Sequence, residues 1–273
     1  MKRATVLTGD RPTGRMHLGH FVGSLKNRFA MQAQYRCFFM IADYQALTTH
    51  GERSREIEGH VREMVLDYLA AGLDPERGFC FLQSQVPQLS ELTTIFSNLV
   101  TLPRLLRNPT IKEEMEEMGA SGRATFGFVG YPVSQAADIL LFRPERVSVG
   151  PEQRPHIELA QEVAARFNRT YGPVFPILEG VFGERMAGTD GRGKMGKSYG
   201  NAIALSDRPE AVREKESNRF LEPFRERRSR FEEQPGLVRK ILNLGGSEAR
   251  VEGQRTLEVV KGAMGLDYKQ LLD

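Results

Sequence analysis

The side chains best suited to chemistry on phosphate come in two pairs, each spaced by three: His17 with His20, and Lys194 with Lys197. The histidines stand in GDRPTGRMHLGHFVG (residues 9–23), directly after a strand-like run and leading into a helix. That spacing puts both imidazoles on one side of a first helical turn, where they can donate to a polyphosphate whose charge grows during attack. Gly9, Gly14, Gly19 and Gly23 let the backbone turn tightly and approach a ligand. A helix starting near Leu18 offers free N–H groups and a positive dipole end. A lone H-x-x-H is most often two surface histidines, but strand, Pro12-Thr13-Gly14 turn and helix in this order favour the phosphate site. The lysines stand in GKMGKSYGNAI (residues 193–203). Glycines with two ammonium groups make a mobile phosphate clamp; a solvated basic loop is the plainer alternative.

Asp138, in AADIL, is a third candidate. It is an acid on an otherwise apolar helix, read either as a surface acid or as a buried acceptor for a ligand N–H. An acceptor there would discriminate, because a buried polar group left unpaired by the wrong ligand costs about 1–3 kcal/mol.

These groups need a scaffold. Residues 4–8 (ATVLT), 37–42 (CFFMIA), 79–83 (FCFLQ) and 146–150 (RVSVG) are apolar without alternation, as strands covered on both faces must be. Amphipathic stretches lie between them. Residues 54–71 place Ile57, Val61, Met64, Val65, Tyr68 and Leu69 at helical spacing, and residues 88–102 and 155–169 also read as helices. The alternation predicts an α/β fold with a parallel sheet wound on both faces. Beyond about residue 200 the strand signal ends, and an Arg-rich, all-helical part follows.

Composition excludes little else. The net charge of +3 is too small to mark a nucleic-acid binder by itself. Cys37 and Cys80 lie in apolar runs and read as buried free thiols, without metal-ligand spacing for a zinc site. The sequence opens on a strand rather than a signal peptide, and no run is long enough to span a membrane, so a reducing cytoplasm is expected.

HLGH (His17–His20) and KMGKS (Lys194–Ser198) together resemble the "HIGH" and "KMSKS" signatures of class I aminoacyl-tRNA synthetases. YPVSQAADILLF (residues 131–142), VGPEQRPHIELAQEVAARFNRTYG (149–172), GDRPTG and KGAMGL (261–266) narrow the resemblance to the tryptophanyl family. It covers residues 1–205 and resumes over about 217–268. The resemblance implies a Rossmann-type doubly wound catalytic domain over residues 1–205 and a helical anticodon-binding region over 206–273. It implies tryptophan–tRNA ligation: ATP and Mg²⁺ convert L-tryptophan to tryptophanyl-adenylate and pyrophosphate, and the aminoacyl group passes to the 3′ end of tRNA(Trp). A homodimer is implied as well.

By motif match, His17, His20, Lys194 and Lys197 would be catalytic. Gly9, Arg11, Thr13, Gly19, Met195 and Ser198 would complete the ATP site, with Gly19 under the adenine. Leu7, Gly9, Gln45, Tyr131, Gln135, Asp138, Val147, Val149 and Gln153 would line the tryptophan pocket, with Asp138 accepting the indole N–H and Gln153 holding the amino group. No resident metal is implied. The chain departs from the family pattern at Gly196, the usual serine of KMSKS, and at Arg11, Gln45 and Gln135, where glutamine, histidine and methionine are common. Two alternatives stand beside this reading: a tyrosyl-tRNA synthetase, which shares both signatures, and a synthetase-like protein that binds nucleotide or a partner without charging tRNA. A plain Rossmann dehydrogenase lacks its G-x-G-x-x-G.

Two expectations concern the helical part. Arg225, Arg227, Arg228 and Arg230 form a candidate tRNA surface. Relatives place several tens of residues between the KMSKS loop and the terminal helices, whereas here about twenty separate Ser198 from Leu221. DRPEAVREK reads as the start of one helix and ESNRFLEPFRERR as the end of another, with no turn signal between. A missing stretch is therefore expected near Lys215 and Glu216.

Overall fold

Apolar runs that do not alternate can be covered on both faces only in a sheet with helices on each side. The computed structural model, which describes residues 3–117, 124–184, 186–191, 193, 195, 196, 199–212 and 215–268, has that arrangement. Its strands are β1 (Thr5–Asp10), β2 (Arg36–Ile41), β3 (Gly78–Leu82), β4 (Arg146–Val149) and β5 (Glu179–Phe182). All pair in parallel, in the order β3-β2-β1-β4-β5. This is the Rossmann-type order, with its direction reversing between β1 and β4.

The helices are α1 (Leu18–His20), α2 (Lys26–Met31), α3 (Asp43–His50), α4 (Ile57–Ala71), α5 (Gln88–Ser97), α6 (Leu102–Leu106), α7 (Pro109–Glu117), α8 (Phe126–Leu140), α9 (Arg154–Tyr171), α10 (Lys215–Glu232) and α11 (Leu237–Met264). A π-helical turn, Phe21–Leu25, joins α1 to α2. Strand side chains alternate between two cores. Leu7, Phe38, Met40, Phe81, Val147 and Val149 face α5, α8 and α9. Val6, Cys37, Phe39, Ile41 and Cys80 face α4, α10 and the start of α11. Both cysteines are buried free thiols, and burial raises each thiol pKa to about 12. Among the described residues, no helix is long and apolar enough to cross a membrane.

The four strands read from sequence are present, shifted by a residue or so. β5 was missed: it is four residues long, half-exposed at the sheet edge, and contains Glu179 and Gly180, which weaken a strand signal. The helix expected over 88–102 is two, α5 and α6, because the chain turns at Asn98 and restarts with Pro103 in the first turn of α6. Near the expected junction, Arg213 and Glu214 lie outside the described residues. On either side stand a single 3₁₀ turn (Pro209–Ala211) and a separate helix, α10.

The helical part is fastened to the sheet. α11 crosses β3 so closely that a Cβ on Gly245 would lie 1.9 Å from the Cys80 carbonyl oxygen. Arg36 on β2 pairs with Glu252 at 2.6 Å and with Glu248 at 3.2 Å, both on α11. Backbone on backbone leaves no side chain to adjust. Gly245→Ala is therefore expected to destabilise the chain by about 1–3 kcal/mol or more, as overpacking does. Gly262→Ala, later on the same helix with only Asp267 at 3.9 Å, tests the intrinsic preference alone and should be neutral or stabilising. Denaturant melts of the two variants check this; equal stabilities would refute the close crossing.

Candidate functional site

Parallel strands deliver their C-terminal ends to one edge, and a crevice opens where strand order reverses. Here that edge carries Asp10 at the end of β1 and Arg11 after it, Asp43 and Gln45 after β2, Gln83 after β3, and Gly150 to Gln153 after β4.

His17 is buried and caps α1 in extended conformation; its ring lies 3.6 Å from that of His20, centroid to centroid. The His17 backbone N–H donates to His20 Nδ1 at 3.1 Å, so the proton of a neutral His20 sits on Nε2. The expectation of free N–H groups at this turn is corrected. Leu18 N–H donates to the Ile203 carbonyl at 2.9 Å, Gly19 N–H points to Met195 Sδ at 3.3 Å, and His20 N–H returns to the His17 carbonyl at 2.9 Å. The second motif lies across the first and takes two of these donors, and His17 takes the third.

That crossing brings the two motifs together. Leu205 N–H donates to the Met16 carbonyl at 2.9 Å, and Met195 is buried against Gly19. A Cβ on Gly19 would lie 3.0 Å from the His17 ring and 3.2 Å from the Met195 Cβ, which explains the glycine. Lys194, Lys197 and Ser198 lie outside the described residues. Their loop is held at its described positions by Asn201, whose Oδ1 accepts the Gly196 N–H at 2.9 Å and whose Nδ2 donates to Asp190 at 3.1 Å.

Beneath the first motif, Asp10 receives Arg28 and Tyr68 on Oδ2, and Arg28 Nη2 on Oδ1 at 3.2 Å. Burial alone would raise its pKa, but Arg28, the nearby His20 and the Tyr68 hydroxyl hold it below the usual range. Arg11 reaches Glu114 on α7 at 3.6 Å, and Thr13 N–H closes a tight turn onto the Arg11 carbonyl at 2.9 Å.

Asp138 is 1 % exposed, which decides between its two readings in favour of the buried acceptor. Gln83 Nε2 donates to both its oxygens, at 2.8 and 2.9 Å, and Gln45 Nε2 to Oδ2 at 3.4 Å. Gln45 also donates to Ser134 Oγ at 3.1 Å. Burial, partly offset by these bonds and reinforced by the like charge of Asp43, raises the Asp138 pKa to about 7. Further along α8, Gln135 Nε2 donates to Gln153 Oε1 at 2.9 Å, and the Tyr131 hydroxyl lies 3.2 Å from His156 Nε2. Burial and Arg11 lower the His156 pKa to about 4, and burial with Glu114 raises that of Tyr131, so both are neutral near pH 7. Leu7, Val147 and Val149 join the apolar cluster that holds Val133, Ala136 and Ala137 of α8. Gly9 lies at the end of β1, where a Cβ would meet the Met40 carbonyl at 3.1 Å.

The sequence reading missed Asp10, Arg28, Gln83 and Asn201. For Gln83 a signal existed, since it directly follows a strand at the ligand-bearing edge. The arginine surface is also corrected. Arg228 is buried, Arg225 donates to the Asp207 carbonyl at 2.6 Å, and Arg227 donates to the Ala70 carbonyl at 2.6 Å. Of the four, Arg230 alone is exposed.

A family profile described as class I tRNA synthetases (W and Y) matches residues 1–270. A tryptophan–tRNA ligase of Treponema pallidum is 41% identical, over 98% of each chain; one of Streptococcus pyogenes is 38% identical, over 98% of this chain and 100% of its own. The Treponema alignment runs over 332 positions against the 273 residues of this chain, so that relative carries tens of residues that this one lacks within the matched span. Among solved structures, a tryptophanyl-tRNA synthetase from Campylobacter jejuni, crystallised with ADP and tryptophan, superposes with a TM-score of 0.82. It is 26% identical, over 96% of this chain and 100% of that one.

The buried carboxyl gives the site a pH signature. An acid whose folded pKa lies near 7, against an unfolded value of about 3.9, stabilises the fold fully below the unfolded value. That stability falls as pH rises and is lost through the folded value. Asp138→Asn should flatten the stability profile between about pH 4 and 7, removing a slope on the order of 1 kcal/mol per pH unit. Denaturant melts across that range check it; parallel profiles would place the titration elsewhere.

Proposed function

Because the chain belongs to the class I tRNA synthetases of the tryptophan and tyrosine family, we propose that the C-terminal edge of its sheet activates tryptophan, with ATP over the His17–His20 turn and the amino acid beside α8. The reaction is that of a tryptophan–tRNA ligase. The tryptophan carboxylate attacks the α-phosphorus of ATP, the bond to the bridging oxygen breaks, and pyrophosphate leaves. The terminal ribose hydroxyl of tRNA(Trp) then takes the aminoacyl group and releases AMP. Catalysis rests on position and charge, since no covalent enzyme intermediate is required.

The observation that carries the substrate reading is Asp138. A carboxylate has about four lone-pair sites. Gln83 takes one on each oxygen and Gln45 a second on Oδ2, which leaves Oδ1 able to accept an indole N–H. Gln45 borders that acceptor, and Gln135 and Tyr131 extend the pocket along α8; Leu7, Val147 and Val149 supply apolar surface, and Gly9 gives close approach. Gln153, positioned by Gln135, holds the amino group. On the nucleotide side, His17 and His20 meet the phosphates, Arg11 and Thr13 line the turn, and Gly19 with Met195 borders the adenine. Lys194 and Lys197 clamp the departing pyrophosphate, and Ser198 completes the ATP site. Mg²⁺ enters as the counter-ion of ATP, held chiefly by phosphate oxygens. The enzyme works in the cytoplasm as a homodimer, and the stretch found in relatives falls between Leu205 and Leu221. The tyrosine alternative lacks support comparable to the tryptophan relatives.

Tryptophan should support ATP–pyrophosphate exchange far better than tyrosine, and Asp138→Ala should erode that preference and raise the tryptophan KM. The chain contains no tryptophan, so the fluorescence of the bound amino acid reports its affinity directly. Unchanged selectivity in the variant would remove Asp138 from the pocket, and absence of tryptophan-dependent exchange in the parent would favour the non-charging alternative. Lys197→Ala should reduce kcat on the order of 30- to 1,000-fold, as loss of a charged contact of about 2–4 kcal/mol in the transition state does. Pre-steady-state kinetics check this; an effect on KM alone contradicts the clamp.

A further inference from the structure

The residue that introduces the first signature is tied to the helical part through one buried carboxylate. Asp67, on α4, is fully buried. Its Oδ2 accepts the backbone N–H of Met16 at 2.8 Å, one residue before His17, and its Oδ1 is bonded by Arg228 Nη1 from α10. Arg228 is buried too, and is oriented by Glu63 Oε2 at 2.7 Å and Glu232 Oε1 at 2.8 Å. Glu63 in turn meets Arg15 at 3.3 Å. On its other side, the Met16 carbonyl accepts Leu205 N–H at 2.9 Å. Both polar groups of Met16 are thus spoken for: one by the segment that follows the second signature, the other by Asp67. A carboxylate in this setting keeps its charge, and hence its full strength as an acceptor, only while a cation faces it. Burial does push the Asp67 carboxyl upward, against Arg228 and the Met16 N–H.

We propose that Asp67 and Arg228 are positioning residues for ATP: α10 sets, through this carboxylate, where the backbone at Met16 places the His17–His20 turn. The proposal rests on the reading of that turn as the ATP site. It gives the retained helices a part in activation itself, apart from any contact with tRNA. Another ion pair between sheet and helix, half-buried Arg36 with buried Glu252, joins β2 to α11 but touches neither signature, so it separates positioning from mere fastening.

The test uses the full chain with Asp67→Asn, Arg228→Ala, Arg228→Lys and, as a control, Arg36→Gln. ATP–pyrophosphate exchange is measured at saturating tryptophan with varied ATP, below the melting temperature of each variant. Asp67→Asn and Arg228→Ala should lower kcat on the order of 10- to 100-fold, as a small misplacement of reacting groups does. Tryptophan affinity, read from its own fluorescence, should be unchanged, and Arg228→Lys should restore part of the rate. Arg36→Gln should lower the melting temperature without changing kcat. Hydrogen exchange at the Met16 amide reads the tie without turnover and should accelerate in Asp67→Asn and Arg228→Ala, not in Arg36→Gln. Where Arg228→Ala does not fold, Asp67→Asn and Arg228→Lys carry the comparison. Folded variants with parental kcat, or with a Met16 amide as protected as in the parent, overturn the proposal. An inactive parent chain overturns the ATP-site reading instead, while the amide still decides the tie.

Discussion

Residues 17–20 and the loop around Met195 are separated by most of the catalytic chain, and they act on one ligand only if something fixes them face to face. Two backbone bonds do so: Leu205 N–H to the Met16 carbonyl and Leu18 N–H to the Ile203 carbonyl, both 2.9 Å. They form a short antiparallel contact outside the five-stranded sheet, centred on the bridge between His17 and Ala204. Gly19 follows from it, because the crossing chain brings Met195 and the His17 ring to where a side chain would stand. So does the commitment of the N–H groups that would otherwise face a phosphate. The first signature therefore contributes side chains to the site more than helix-end backbone donors, and the imidazole tautomers matter accordingly.

Three carboxylates, Asp10 half-buried and Asp67 and Asp138 buried, are each compensated differently. Asp10 has a guanidinium on both oxygens and stays ionised. Asp67 shares its cation with Glu63 and Glu232 and gives its other oxygen to a backbone N–H. Asp138 has only neutral amide donors, and its pKa rises to about 7. The difference sets what each can do. A carboxylate faced by a cation keeps a fixed charge, whereas one with only amide donors can still take a further N–H partner.

Much of this was legible in sequence where the signal was periodic or chemical. β1 to β4 were visible as unbroken apolar runs, and the two signatures named the stretches around His17 and Met195 that the fold brings together. What failed was partnering across the chain. Arg225, Arg227 and Arg228 look like a solvated basic face by composition, yet Leu221, Phe224, Arg228 and Phe231 share one helical stripe, which places Arg228 on the buried side. A long cationic side chain on an apolar stripe signals an ion pair as readily as a surface. Asp67 carried the same clue within the apolar face of α4. The Gln83–Asp138 bond joins residues 55 apart, and neither local pattern announces the other.

The same bonds explain which helices this shorter chain keeps. α11 lies on the edge strand β3 with Gly245 against the Cys80 backbone, and it is pinned by Arg36 to Glu252 and by Arg250 to the Gln85 carbonyl. α10 is pinned to α4 by Arg228 and Arg227. An exposed edge strand invites pairing with other chains, and a helix laid over it removes that hazard. Losing α11 would uncover β3, and losing α10 would leave Asp67 buried without its cation. The described chain between Leu205 and α10 is tied at both ends: Asp207 accepts the Ala204 N–H at 2.8 Å, Val212 is buried, and the carbonyls of Asp207, Pro209 and Val212 accept bonds from α10. α10 and α11 are thus part of the scaffold that holds the sheet and the turn at Met16 in place.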